Sequence, residues 1–329
     1  MSIVNIKKCL MASGLLLLLG SAAQADTLWV NCAGKGGLNS IGAALKLLQS
    51  PFAVGANTIN VSGACRENIL INNMDLLTIA GSNGASITDA SGGAADVVDI
   101  RNSHVTIIGM TIDGLSGVNY DAVDCEQASL CRLIGNTIQG DADVVGVYNL
   151  SSTLIVGGVI QNGTSDGIFA LGDVVAAGVA IHGNPVGVVV RNGGRTRVRV
   201  ADPASDPILA ITPSTVANNN AGILVSQGAE FSCTGCIVQN NTGDGIHIDV
   251  SAAATIQAAT LGNGSTIPPL VTGNSGYGVY VGDLSSATFK GTSTVTGNGQ
   301  PDISCNSPTS VTRGALAAAG GAANTNCTN

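Results

Sequence analysis

The chain has 329 residues, a formal net charge of −8 and a pI near 4.6, a balance that argues against nucleic acid as a partner. Charged residues make up 10% and aromatics 3%, against 45 glycines, which suits short strands burying small aliphatic side chains better than one large core. Residues 1–25 read as a secretory signal peptide, with Lys7 and Lys8 as the basic n-region, Leu10 to Leu19 as the apolar h-region and Ala23-Gln24-Ala25 as the cleavage site. The apolar run is too short for a membrane span, so a secreted chain, periplasmic or extracellular, is expected.

Cys9 leaves with the signal, and the other cysteines divide into near neighbours: Cys32 and Cys65, Cys125 and Cys131, Cys233 and Cys236, Cys305 and Cys327. In an oxidising compartment an even count implies disulfides. Cys233-Thr234-Gly235-Cys236 also has redox spacing, but it lacks the βαβ context and helix start that lower a thiol pKa. No second CxxC or His pair offers zinc spacing.

Thr27 to Asn31 reads as a strand. Residues 39–49 place Ile41, Ala44, Leu45 and Leu48 on one helical face, with Asn39 or Ser40 as N-cap and Pro51 beyond the end. From Thr58 onward the pattern is strand, turn, strand, as in Ile69-Leu70-Ile71, Val97-Val98-Asp99-Ile100 and Val105-Thr106-Ile107-Ile108. A glycine phrase then recurs: Gly167-Ile168-Phe169-Ala170, Gly187-Val188-Val189-Val190, Gly222-Ile223-Leu224-Val225, Gly245-Ile246-His247-Ile248 and Gly278-Val279-Tyr280-Val281, with Gly146-Val147-Tyr148-Asn149 as a weaker copy. The copies lie 20 to 35 residues apart, the period of a solenoid of about nine to eleven coils. The two longest intervals are expected to hold insertions near Asp202 to Pro213 and Gly262 to Pro269. Residues 26–305 are thus read as one domain capped by helix 39–49, and residues 306–329 as a loose tail tied back if Cys305 pairs with Cys327.

The phrase Asn241-Thr242-Gly243-Asp244-Gly245-Ile246, its weaker copies and Val105 to Ile112 resemble right-handed parallel β-helix proteins of the pectin-lyase-like superfamily. The resemblance implies an all-β, single-stranded right-handed parallel β-helix over essentially the whole mature chain. It does not fix the activity, since that superfamily holds lyases, hydrolases, esterases, epimerases and non-enzymatic proteins. The family's paired-aspartate and Gly-His-Gly signature, its methylesterase Gln/Asp motifs and its lyase Arg-x-Pro-x-x-Arg pattern are all missing.

Strand alternation yields two outward rows on the face that carries substrate in the resembling enzymes. The first is expected to run Asp99, Asp124, Tyr148, Phe169, Val189, Leu224, His247, Tyr280, and the second Arg101, Glu126, Leu150, Leu171, Arg191, Ser226, Asp249, Gly282. The densest polar cluster is Asp99, Arg101, Asp124 and Glu126. It reads as a neutralised surface cluster, as a Ca²⁺ site on Asp99, Asp124 and Glu126, or as a carboxylate pair spaced for glycoside chemistry. His247 with Asp249 is a second catalytic candidate, against a solvated histidine. Arg195, Arg197 and Arg199 project from one strand face and, with Arg191, form a basic stripe suited to substrate carboxylates or sulfates, or a guarded edge. Asn162, Asn184, Asn218, Asn240 and Asn274, and the acids of Asp166-Gly167 and Asp244-Gly245, are read as turn scaffold. No motif requires a cofactor. The expected partner is a polysaccharide or cell-surface glycan, bound or processed, with a non-catalytic structural or adhesive protein as the alternative.

Overall fold

A computed structural model describes residues 25–34, 37–49, 55–115, 119–208, 210–306, 311–314 and 327; the expected signal peptide lies outside them, save Ala25. The chain winds into a parallel β-helix whose coils contribute strands to three faces. The first face stacks ten strands, from Ile69–Asn72 through Val98–Arg101 and Val123–Glu126 to Ile303–Cys305, within the expected number of coils. The second carries five-residue strands such as His104–Ile108 and Arg195–Arg199, and the third carries three-residue strands such as Thr111–Asp113. Thr58–Arg66 and Leu77–Thr88 turn the corner and belong to both of these faces.

Register stacks like on like inside the coils. On the third face one column runs from Ile87 through Ile112, Ile138 and Ile160 to Val295, every member buried. Each such side chain contributes about 1.5–3 kcal/mol on burial. The stack needs no wide core, because each coil covers only its neighbours.

The recurring glycines answer to a close approach between coils. A Cβ on Gly187 would lie 2.7 Å from the Gly222 carbonyl oxygen and 2.9 Å from the Asn219 amide nitrogen. One on Gly245 would lie 2.7 Å from both the Gly278 oxygen and Asn274 Nδ2. These amides form a buried ladder in which the backbone N–H groups of Asn184, Asn219, Asn241 and Asn274 donate to the Oδ1 atoms of Asn219, Asn241, Asn274 and Asn298, at 3.0–3.1 Å. The asparagines expected as scaffold therefore divide by role: Asn184 and Asn274 are ladder rungs, whereas Asn162, Asn218 and Asn240 take positive φ at the preceding turn position. At another corner Ser103, Ser129 and Ser151 form a shorter hydroxyl ladder under the coils that follow Met74.

The N-terminal end is closed as expected. Helix α1, Ile41–Leu48, is N-capped by Ser40, and Glu67 from the adjoining coil accepts the Ile41 and Gly42 N–H groups at 2.6 and 2.9 Å. It buries Ile41, Ala44, Leu45 and Leu48.

All four expected cysteine pairs form disulfides: Cys32 with Cys65, Cys125 with Cys131, Cys233 with Cys236 and Cys305 with Cys327. Cys125 comes from the first-face strand Val123–Glu126 and Cys131 from the second-face strand Leu130–Ile134, so their bond ties two faces of one coil from the inside. Cys125, Cys131, Cys233 and Cys236 are all buried, which makes both bonds structural and neither an accessible redox pair. Beyond Cys305 the segment expected to be a loose tail adds one more parallel strand, Val311–Gly314, to the second face, and Cys327 is tied back by its disulfide.

Both expected insertions exist, and both leave the coils between the second and third faces. Ala259–Thr260 and Thr266–Ile267 pair as an antiparallel ribbon, and the Gly262 N–H donates to Asp202 Oδ2 across 60 residues at 2.7 Å. Val200, Ala259, Leu261 and Ile267 form a small separate core beneath them. Arg199 pins the first insertion through Asp206 at 2.6 and 2.7 Å.

Candidate functional site

The register of the first face differs from the expected rows at one coil. Val145 pairs with Ile168 and Gly146 with Phe169, so Val144, not Gly146, stands where the other copies have their glycine. Gly146 therefore occupies the first outward row in place of Tyr148, and Tyr148 takes the place expected of Leu150, which lies in the turn beyond and is 91% exposed. The space left by Gly146 is filled at once. A Cβ there would collide with Asp121 Oδ2 and the Tyr148 ring, because the ring folds back across the glycine. Its hydroxyl donates to Asp121 Oδ2 at 3.0 Å and lies 3.2 Å from Asp143 Oδ2.

Those contacts expose a third row that the sequence reading missed. Asp143 and Asp166 open first-face strands, Asp96 and Asp121 stand two residues ahead of theirs, and on successive coils the four stack in register. A shared pattern carried them: Asp96-Val97-Val98, Asp121-Ala122-Val123, Asp143-Val144-Val145 and Asp166-Gly167-Ile168, at intervals of 25, 22 and 23 residues. The 25-residue interval relates Asp96 to Asp121 in the sequence, but aligning the later copies on glycine hid Asp143 and Asp166.

The expected cluster does assemble beside this row. Asp99 pairs with Asp124 and Arg101 with Glu126 across adjacent strands. Arg101 binds Asp99 at 2.7 Å and Glu126 at 2.9 Å, and these bonds raise its own pKa. Asp124 is buried, and its Oδ1 has no hydrogen-bond partner. Together with Asp96, Asp121, Glu126 and Tyr148 it lines a groove of about 310 Å³. The neighbouring disulfide does not join this site: Cys125 points into the coil, and Cys131 lies buried on the second face, so the pair braces the strand of Asp124 and Glu126 from behind. The insertions leave another corner of the coil and do not cover this groove.

Burial, together with the charges of Asp143, Asp124 and Asp96, pushes the Asp121 carboxyl up to about 9 despite the Tyr148 hydrogen bond. Burial and then Asp96, Glu126 and Asp99 push Asp124 up to about 8, with Arg101 opposing. Asp166 rises to about 7 through burial and Asp143, and burial also raises Asp96 and Asp143. Carboxyls this close titrate as a group, so at neutral pH the row retains protons unless a cation displaces them.

Two sets of three carboxylates bring one oxygen from each residue within 4.8 Å of the others: Asp99, Asp124 and Glu126, the expected metal trio, and Asp96, Asp121 and Asp124. Arg101 already neutralises the first. The second has no cationic side chain bonded to it among the described residues, although the Arg101 charge acts on Asp96 and Asp124; Asp124, whose Oδ1 is unpartnered, belongs to both sets.

The arginines divide between faces. Arg195, Arg197 and Arg199 do share one side of a strand, but on the second face, where Arg195 pairs with Glu230 and Arg199 with Asp206. Arg191 instead follows the first-face strand Val186–Val190, where its charge lowers the pKa of Asp143 and Asp166 against their burial. The four therefore do not make a single stripe.

His247 and Asp249 lie on one side of the same strand as expected, 3.5 Å apart, but the closer partner is Asp244, 2.8 Å from Nδ1. Burial alone would lower the His247 pKa, yet the Asp244 bond and the two carboxylate charges outweigh it and raise it. Carboxylates at both ring nitrogens hold the imidazole in place. Tyr280 stacks on it at 4.5 Å, the neighbour expected from the repeat.

The family described as the right-handed beta helix region matches residues 96–261, half of the chain and all of the coils that build the acidic groove. The chain belongs to the right-handed β-helix family. No curated protein matches its sequence. Among solved structures, this β-helix is similar to the pectate lyase Pel9A, at 11% identity over 93% of this chain and 80% of that one, with a TM-score of 0.44. It is also similar to the A-module of the Azotobacter vinelandii mannuronan C-5 epimerase AlgE6, at 12% identity over 84% and 89%, TM-score 0.35. A third is the catalytic domain of a GH87 α-1,3-glucanase in complex with tetrasaccharides, at 11% identity over 92% and 68%, TM-score 0.23. The likeness is one of fold. The disulfides are those of a β-helix that matures in an oxidising compartment, and no helix among the described residues is long and apolar enough to cross a membrane.

Proposed function

We propose that this β-helix is exported by its N-terminal signal and binds, or processes, an acidic polysaccharide in the first-face groove, with Ca²⁺ held by Asp96, Asp121 and Asp124. The observation that carries the reading is Asp124, a buried carboxylate with an unpartnered oxygen, grouped with two other carboxylates to which no cationic side chain among the described residues is bonded. Hard oxygen donors from adjacent coils suit Ca²⁺, which accepts six to eight oxygens at variable angles. The ion would keep the carboxylates ionised and offer its remaining positions to a uronate carboxylate. Arg101 at the groove and Arg191 farther along the same face supply positive charge toward the sugar acid.

A second reading is favoured by the raised pKa of Asp124. A carboxyl that keeps its proton at neutral pH, one coil from the Asp99 carboxylate, is placed for general-acid chemistry on a glycosidic bond. Calorimetric titration of Ca²⁺ into the wild-type protein and Asp124→Asn, followed by uronate oligomers with and without chelator, tests the first reading. We expect Ca²⁺ binding that the variant loses and oligomer binding that requires the ion. Equal Ca²⁺ affinity in the variant would remove this site. Chromatography of the incubated oligomers decides between binding and processing, and no binding to acidic or neutral glycans would leave the structural or adhesive role.

A further inference from the structure

The acidic groove does not end at its carboxylates. Three hollows, of about 520, 260 and 310 Å³, follow one another along the first face from α1 to Tyr148, and the last of them is that groove. Asn68, Ile69 and Leu70 line both the first and the second, and Asp96 and Tyr120 line both the second and the third, so the hollows run together as one channel. Leu70 pairs with Asp99 and Asp99 with Asp124, which puts Leu70 in the first outward row two coils before Asp124. At the usual strand spacing the two are roughly 10 Å apart. The far hollow lies between the strand Ile69–Asn72 and α1, where Lys46 and Gln49 line it.

The surfaces of this extension are open to solvent. Leu70 is 50% exposed and Tyr120 38%, and each stands where one hollow passes into the next. A single exposed apolar side chain means little, but these two mark successive steps of one channel. Asn68 is a brace beside them. Its amide donates to Asp89 Oδ1 and to the Ala95 and Asp96 carbonyls at 2.7–3.2 Å, which fixes the edge on which Asp96 stands.

Charge changes sign along the channel. Asp96, Asp121 and Asp124 hold one end, and Arg101 in the middle is already shared between Asp99 and Glu126. Lys46, exposed in the last turn of α1, has no bonded carboxylate among the described residues. A lysine there also suits the helix dipole, but its place on the channel wall leaves the ammonium available to an anion. Ring-sized apolar surfaces followed by a free ammonium match a uronate, with its apolar ring face and its carboxylate.

We propose that Tyr120, Leu70 and Lys46 extend the acidic groove toward the N-terminal cap as a set of sugar subsites. One pyranose ring packs on Tyr120, the next lies over Leu70, and a uronate carboxylate beyond them meets the Lys46 ammonium. The proposal rests on the polysaccharide reading above and deepens it: the bound chain runs from the carboxylate row toward α1, and its far sugar is acidic.

The test titrates a length ladder of uronate oligomers into the full-length protein in Ca²⁺ by calorimetry, with thermal melting to confirm folding. Tyr120→Ala is expected to weaken the longest oligomers by about tenfold, the worth of one stacked ring, and to leave the shortest unchanged. Tyr120→Phe should bind as wild type. Lys46→Gln should cost the longest oligomers about threefold, a loss that shrinks as salt rises. Tyr280→Ala, toward the other end of the same face, should change nothing, and Asp124→Asn should weaken every length. Unchanged long-oligomer affinity in Tyr120→Ala and Lys46→Gln, with Asp124→Asn defective, overturns the extension alone. Loss in Tyr280→Ala in place of Tyr120→Ala sends the chain the other way and also overturns it. Loss in Tyr120→Ala and Lys46→Gln with none in Asp124→Asn upholds the extension and overturns the Ca²⁺ site instead. Wild-type protein that binds no oligomer of any length overturns both.

Discussion

The first face is built in two ways along its length. From Asn184 to Asn298 a buried amide ladder fills the corner before each strand, and the position against it is glycine in every copy. From Asp96 to Asp143 that amide ladder is absent among the described residues, and the same position holds Val97, Ala122 or Val144, all fully buried. Gly167, beside Asp166, is where the two constructions meet, for a Cβ on it would lie 2.8 Å from Asn184 Nδ2. Where amides satisfy the corner from within, the surface is free to be bland. Where they do not, aspartates stand at its edge, Asp121 buried and Asp96 and Asp143 partly so, and Asp96 and Asp121 line the groove.

Exchanging the two constructions should be the most damaging change. Gly245→Val drives a branched side chain into the Gly278 carbonyl and the Asn274 amide, and we expect a loss of more than about 3 kcal/mol in urea unfolding. Val144→Gly at the equivalent position loses only burial and backbone rigidity, about 2 kcal/mol. Similar losses in both would mean that the two halves do not differ as described. Asn241→Ala, which removes a rung bonded both to Asn219 and to Asn274, is expected to cost about 2–4 kcal/mol, and Ser129→Ala in the hydroxyl ladder about 1–2 kcal/mol. The reverse order would assign the greater stabilisation to the serine corner.

The acidic coils should also answer to pH. Asp121 and Asp124 bind protons more tightly folded than unfolded, with pKa values of about 9 and 8 against roughly 3.9 in an open chain. Their contribution is therefore full at acid pH and is lost as pH rises through the folded values. In chelator the melting temperature should fall from about pH 5 to pH 9, and Ca²⁺ should restore it most at the alkaline end, where fewer protons must be displaced. A metal-free melting curve flat across that range would contradict the carboxylate row. The smallest effect is expected from Tyr148→Phe, which removes one hydroxyl donor and about 1 kcal/mol. Its signature is a further rise in the apparent Asp121 pKa, measurable by carboxyl NMR.

The fold was legible because it depends on period. Inward aliphatics, turn residues and the α1 pattern recur at spacings that admit one architecture, and the cysteines fell into neighbouring pairs. The groove was only half legible. Asp99, Arg101, Asp124 and Glu126 sit where strand alternation puts them, since parity alone decides which side a residue faces. Asp96 and Asp121 stand two residues ahead of their strands and Asp143 and Asp166 begin theirs, so as a row they escaped at positions that read as turn acids, as Asp166-Gly167 did. Tyr148 was displaced because Gly146 imitates the ladder glycine while serving the opposite purpose, holding space outside the coil rather than inside it. The arginines misled for another reason: Arg191 and Arg195 are near in sequence, yet the corner between them sends them to different faces.

The two insertions alter how the solenoid can come apart. In a stacked array each coil is held only by its neighbours, so opening can start at any weak rung and stop at the next strong one. The small core of Val200, Ala259, Leu261 and Ile267 joins coils that are not adjacent, and Gly235 on the coil between them is the gap through which they meet, with a Cβ there only 2.7 Å from Val200 and 2.9 Å from Ala259. The bridged coil cannot loosen without releasing both of its neighbours. Three coils are thereby fused into one cooperative block, a rigid splint just before the strand that carries Tyr280.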